Sequence, residues 1–220
     1  MKMHQFVIIG LGRFGSSIGK ELIQLGYEVL GIDRNEETVQ ELSKVLTHAV
    51  VADATEEEAL RSLGARNFDC GVVAIGDDIQ ASILATILLK ELGVKKVVAK
   101  AVNELHGRVL ERIGVDRVIY PERDMGIRVA HQLVSPNLLD YIELSKKYTI
   151  AELAVPGCLT GKSLADVNPR GKYGCSIVAI NKPKGIIIAP NAEDVLTERD
   201  VMVVIGTNES IEQFQESIGS

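Results

Sequence analysis

FVIIGLGRFGSSIGKEL, residues 6–22, joins an apolar run to a helix-like stretch through three glycines. In the spacing Gly10-Leu11-Gly12-Arg13-Phe14-Gly15, the first glycine allows a tight turn. The second lets backbone approach a phosphate, and the third permits close packing of helix on sheet. The N–H groups freed at the helix start then face an anion. Glycines also occur in loops for turn geometry alone, so the spacing takes its meaning from its surroundings. The run before it reads as a strand. After it, Phe14, Ile18, Leu22 and Leu25 recur at threes and fours, the stripe of a helix lying on a sheet, and Gly26 stops that helix.

Outward from this junction, short β-rich runs alternate with helical segments to about residue 120. QFVII, EVLGI, HAVVA, GVVAI, KKVVAK and RVIY are the expected strands. Such alternation implies a doubly wound parallel sheet with helices on both faces, a Rossmann-like α/β unit. DIQASILATILLKELG is apolar nearly all round and is expected to be a well-buried helix near the middle of the sheet. Behind Pro121 a helix is expected over 122–135, with Met125, Val129 and Leu133 spaced by four and Ser135-Pro136 ending it. YTIAELAV, CSIVAIN, GIIIAP and VMVVIG then read as strands and NESIEQFQESI as a closing helix, a small α+β module. The expected domains are 1–135, a nucleotide-binding unit with its crossover helix, and 136–220.

Composition narrows the function classes. A net charge of -6 over 220 residues speaks against a polyanion-binding surface, so nucleic acid is a remote partner. The cysteines, Cys70, Cys158 and Cys175, are odd in number and widely scattered. They suggest neither a disulfide framework nor a thiolate zinc site, and the expected compartment is the reducing cytosol. No run approaches ~18 uninterrupted apolar residues, so membrane contact is expected to come through a partner.

Several strand ends are expected to meet at one crevice. Asp33 closes EVLGID, where a carboxylate accepts hydrogen bonds from the two hydroxyls of an adenosine ribose and disfavours a 2′-phosphate; the alternative is that it caps the helix beginning NEETVQEL. Asp53-Ala54-Thr55 follows the third strand at the adenine edge, unless Thr55 merely caps EEEAL. Ile75-Gly76 follows the fourth strand, where a small residue lets the chain pass close to phosphate or ribose, or simply makes a turn. Phe14 and Arg34 are grouped with these residues, and Lys100 ends the fifth strand. His48, His106 and His131 read as surface or packing residues rather than bases, and His4 is expected to belong to a flexible start. No nucleophile elbow or metal-ligand spacing is present, so a binding module fits better than an enzyme. The rival reading is a small NAD(H)-dependent oxidoreductase or redox sensor, since Asp33 admits NAD and ATP alike.

Together GLGRFG, ID, ADAT, VAIGDDIQASILATILLKELG, VVAKA and YPERDMG resemble the cytosolic gating subunits of bacterial Ktr/Trk potassium-uptake systems, built from RCK (or KTN, TrkA-N) domains. LTGKSLADVNPRGKYGCSIVAI and LTERDVMVVIG are similar to that family's TrkA-C segment, here 136–220. The resemblance implies an octameric ring of four dimers, attached to the cytoplasmic face of the membrane through a potassium-translocating subunit. ATP and ADP compete for the crevice of such proteins, with NAD(H) a further candidate. Carried over by position, Arg13 reaches the terminal phosphates and Lys100 is a second cation. Glu122 of YPERD helps hold a divalent cation, Mg²⁺ or Ca²⁺, facing its symmetry mate. In the second domain the resemblance implies cyclic di-AMP at a dimer interface, contacted by Asn168, Arg170 and Ser176 with Pro190 opposite. The chain departs from that pattern by placing Pro169 and Gly171 around Arg170.

Overall fold

The computed structural model describes residues 5–135 and 137–219; His4 and the helix stop expected at Pro136 lie outside them. Six strands, β1 (Gln5–Ile9), β2 (Glu28–Asp33), β3 (His48–Val51), β4 (Cys70–Val73), β5 (Lys96–Lys100) and β6 (Arg117–Ile119), form one parallel sheet in the order β3-β2-β1-β4-β5-β6. The chain reverses its winding between β1 and β4. In open α/β sheets that switch point leaves a crevice beyond the strand ends.

Helices α1 (Arg13–Gln24), α2 (Glu36–Leu42), α3 (Glu57–Ser62), α4 (Ile79–Glu91) and α5 (Glu104–Ile113) connect these strands. Successive β1 residues serve opposite cores because side chains alternate across a strand. Ile8 packs with Leu11, Val39, Leu42 and Leu46, whereas Val7 and Ile9 pack with Ile32, Leu60, Leu89 and Leu110. α4 differs from the reading of its sequence. Ala81, Ala85 and Leu89 are buried, but Ile79 and Leu84 are exposed, so its apolar residues also form an outward surface.

α6 (Pro121–Val134) follows, and the described residues divide into one compact unit ending at Arg123 and another opening at Asp124. No described residue of α6 is buried; Met125, Leu133 and Val134 are all exposed. In the second unit, β7 (Leu138–Glu143), β8 (Tyr148–Ala154), β9 (Ser176–Lys182), β10 (Gly185–Ile188) and β11 (Val201–Thr207) form an antiparallel sheet ordered β10-β9-β11-β8-β7. Two short helices, α7 (Leu164–Val167) and α8 (Pro169–Tyr173), precede β9, and α9 (Asn208–Ile218) closes the chain. Their core is built on Leu153, Ile180, Met202, Val204 and Phe214. Sequence reading missed β7, an edge strand whose register shifts between Leu138 and Asp140.

Candidate functional site

The crevice starts where β1 ends. Gly10 takes a left-handed φ of 89°, and a Cβ on it would lie 3.0 Å from Ile75 N. A Cβ on Gly15 would lie 1.9 Å from Gly10 O, so bare backbone is what lets α1 sit this close to the strand. Around Gly12 a Cβ would meet no protein atom within 4 Å, so packing within this chain does not require that position to be bare. Gly12 is also the N-cap of α1 and supplies no side-chain hydrogen bond. The first-turn N–H groups therefore remain available to an anion.

Asp33 holds this loop in place. Its Oδ2 accepts from Leu11 N–H at 2.6 Å and its Oδ1 from Asn35 N–H at 2.9 Å. The cap of α2 is Asn35, whose side chain accepts from Thr38 N–H, so the alternative role for Asp33 belongs to its neighbour. Thr55 does not cap α3 either; Glu56 stands at the N-cap without a side-chain bond. Instead the Thr55 hydroxyl donates to Asp53 Oδ1 at 2.6 Å, and Arg34 reaches the same oxygen at 2.7 Å. The Thr55 hydroxyl, then Arg34, hold the Asp53 carboxyl down to about 2 against the opposing effect of burial.

At the other end, Lys100 Nζ lies 2.6 Å from Glu122 Oε1 and 6.0 Å from the centroid of the Phe14 ring. Lys100, the N–H of Glu122 itself and the charge of Arg13 keep the Glu122 carboxyl below its ordinary value. One cavity of about 1100 Å³ unites these groups. Gly10, Gly12, Arg13, Phe14, Asp33, Arg34, Asp53, Ala54, Thr55, Ile75, Gly76, Lys100 and Glu122 all line it. Gly15 does not, because its place is under the loop. Ser17, Asn35, Thr38, Asp77, Asp78 and Val102 also line the cavity and were not singled out from sequence. Asp77 and Asp78 had a legible signal, since they directly follow Gly76 at a strand end.

Both signs of charge line this cavity. Arg13 and Lys100 act on Glu122 near the uncapped α1 start, while Asp53, Asp77 and Asp78 act on Arg34. Such a cavity suits a ligand that is anionic at one end and neutral, with hydroxyl and amino donors, at the other. A divalent cation on Glu122 does not fit a single chain. That carboxylate is paired with Lys100, and among the described residues no group of three His, Cys, Asp or Glu side chains could hold a metal.

The second candidate site is built differently. Asn168 has a left-handed φ of 44°, and its side chain accepts from Gly171 N–H at 3.1 Å, capping α8. A Cβ on Gly171 would fall 2.6 Å from Asn168 Nδ2, so this cap depends on the glycine. Arg170 is exposed, and Ser176 starts β9. Ala189 N–H donates to Val178 O, which carries Pro190 towards that same strand start. Of the histidines, His48 and His131 are exposed and His106 is buried, its Nδ1 facing Val102 N–H at 3.4 Å.

Comparison with known proteins gives matches along most of the chain. A family model described as the TrkA-N domain matches residues 6–121, and one described as the TrkA-C domain matches 150–219. The Ktr system potassium uptake protein A of Bacillus subtilis (strain 168) is 50% identical over 215 residues, 98% of this chain and 97% of that protein. Among solved structures, the GsuK channel bound to NAD is 26% identical with a TM-score of 0.55, covering 100% of this chain and 39% of the channel. GsuK bound to ADP is 26% identical with a TM-score of 0.51, covering 60% of this chain and 34% of that one. The chain thus spans about two fifths or less of those channel structures.

Proposed function

We infer the function from one premise: the chain belongs to the family of proteins carrying a TrkA-N and a TrkA-C domain, and it is a nucleotide-binding regulatory subunit of potassium transport. The observation that carries its mechanism is one cavity lined by Asp33, Arg13 and Lys100 beside the bare start of α1. In this reading Asp33 would take the ribose hydroxyls, while Arg13, Lys100 and the bare start of α1 would take the phosphates. ADP and ATP fit this arrangement, and NAD fits its adenosine diphosphate half.

The protein senses its nucleotide and does not consume it. A ligand shifts a conformational equilibrium only by its difference in affinity for two states, so sensing ATP against ADP needs a group that meets the γ-phosphate. Arg13, exposed at the phosphate end, is that group. Potassium crosses the membrane through a separate protein, and the subunit docks on its cytoplasmic face; the likeness to a Ktr potassium uptake protein supports this. Among the described residues no helix is long and apolar enough to cross a membrane. Copies assemble through surfaces such as the exposed apolar residues of α6, as dimers that build an octameric ring. A divalent cation beside the phosphates would need Glu122 carboxylates from two copies. Cyclic di-AMP on Asn168, Arg170, Ser176 and Pro190 would need Asn168 to leave its cap, and a second copy opposite.

Titration calorimetry with ATP, ADP and NAD tests the central reading. Arg13→Ala should lower ATP affinity about tenfold more than ADP affinity, within the usual range of allosteric coupling. Equal losses for the two nucleotides, or rapid release of inorganic phosphate from ATP by the wild-type protein, would overturn it.

A further inference from the structure

His106 is only 2% exposed in the first turn of α5, and it is not among the residues lining the crevice. Its Nδ1 accepts from Val102 N–H at 3.4 Å, so the proton of the neutral ring sits on Nε2. Nε2 is buried, and among the described residues no group accepts from it. The bond to Val102 closes a gap in the short link between β5 and α5. Before it, Ala101 N–H donates to Ile119 O at 2.8 Å and ties the link to β6. After it, the Asn103 side chain accepts from His106 N–H at 2.8 Å and caps α5. Between these two ties the imidazole holds Val102, whose side chain lines the crevice.

A second proton on this ring can go only to Nδ1, the atom that faces Val102 N–H. Two donors would then confront each other in a buried place, and the bond to Val102 would be lost. The charged groups around the ring are engaged elsewhere. On α5 itself Glu104 and Arg108 are exposed. Lys100, at the end of β5, is paired with Glu122. On α4, which packs on α5, Asp78 caps its own helix and Lys90 is paired with Asp116. Tyr120 brings its hydroxyl against Gly107 and carries the Arg123 guanidinium over its ring. Burial alone pushes the His106 imidazole below 6.5, so at neutral pH the ring is an acceptor and only acid converts it. We propose that His106 is a proton-operated latch on the crevice wall: as an acceptor it holds Val102 in place for a nucleotide, and as an imidazolium it releases the link between β5 and α5. The inference rests on the nucleotide-binding reading above. By reciprocity, a bound nucleotide keeps His106 neutral to lower pH.

Calorimetry with NAD at about pH 7.5 and about pH 5.5 brackets the range in which histidine changes charge. NAD is the probe because its phosphates are diesters, whereas the terminal phosphate of ADP itself titrates at about 6. Wild-type affinity should fall about threefold from the higher pH to the lower. His106→Asn puts an amide oxygen where Nδ1 stands and binds no proton, so it should match the wild type at the higher pH and lose the pH dependence. His106→Leu offers no acceptor and should bind about threefold more weakly at both. Circular dichroism melts confirm that the variants are folded. Imidazole nitrogen-15 spectra of the wild type need no variant: Nδ1 of the buried histidine should be unprotonated at the higher pH and gain its proton in step with the loss of affinity. A wild-type affinity that is the same at both pH values would overturn the latch. So would a pH dependence that survives in His106→Asn, or an Nδ1 already protonated at the higher pH. A wild type that binds no NAD at either pH would overturn the nucleotide reading instead.

Discussion

At the crevice Lys100 reaches Glu122 and Arg34 reaches Asp53 across gaps between strand ends, each pair having one member more than half exposed. In the second unit the pair of Lys182 and Asp200 has a fully buried carboxylate. Asp200 Oδ2 accepts from Lys182 Nζ at 2.7 Å and from Thr197 N–H at 2.9 Å, while Oδ1 accepts from the Thr197 hydroxyl at 2.7 Å. Lys182 also donates to Val195 O at 3.0 Å. Ser163 and Asp166 close a reciprocal capping box, and Asn168 caps α8. The pairs at the crevice thus each keep one member exposed at the cavity wall. The Lys182–Asp200 pair instead ties a buried carboxylate to neighbouring side chains and backbone.

The largest effect that sharpens this contrast lies beneath the loop. Helix propensity alone would favour Ala over Gly at position 15 by about 1 kcal/mol. Its Cβ, however, would stand 1.9 Å from Gly10 O, and the strand and helix would have to separate. Gly15→Ala should therefore destabilise the first unit by about 3 kcal/mol, the upper end for overpacking, and abolish nucleotide binding. Urea denaturation with ADP calorimetry checks both, and a stable variant that still binds ADP would break the account of the loop.

Next in size is Lys182→Met, which leaves the Asp200 carboxylate buried without its cation. Removing one partner of a buried pair costs about 3–5 kcal/mol, and the Thr197 bonds that remain place this case near the lower figure. Nucleotide affinity should stay at its wild-type value, because the pair belongs to the second unit. A fall in ADP affinity in step with stability would show that the two regions do not divide their work as described.

How far the site was legible depends on the range of each signal. The glycine spacing, the acids closing β2 and β3 and the apolar strands are local patterns, and all lie where the sequence reading set them. The pairs across the crevice are not local: Lys100 and Glu122 are 22 positions apart, and Arg34 and Asp53 are 19 apart. Only the strand order brings them together. β7 escaped notice because its alternation is broken by the shift near Leu138 and because Ile142 points outward from an edge strand. The outward apolar residues of α4 were read as burial, since an apolar run in a sequence does not tell which of its faces is covered. The cap formed by Asn168 was hidden for a different reason. It is a left-handed residue between helices of four and five residues, too short to show periodicity.

The smallest effect falls on Arg34, and it separates an exposed pair from a buried one. Its side chain is 53% exposed, so Arg34→Met should change stability at neutral pH by less than about 1 kcal/mol. Acid reveals the pairing. The Asp53 carboxyl is lowered from 3.8 to about 2, first by the Thr55 hydroxyl and then by Arg34. A carboxylate depressed in the folded state contributes stability that is fully present above its unfolded value. That contribution is lost as pH falls from there through the folded value. For Asp53 the window runs from 3.8 down to about 2. Without Arg34 the folded value rises part of the way back, so the Asp53 contribution shrinks and its loss is complete at a higher pH. Thr55→Val, which removes the stronger hydrogen bond, should narrow the window further than Arg34→Met does. Urea midpoints measured across this acid range for the two variants check the order. If Arg34→Met moved the acid limb further than Thr55→Val, the guanidinium would be the main anchor of Asp53, and the crevice would hold a structural pair of the kind assigned to the second unit.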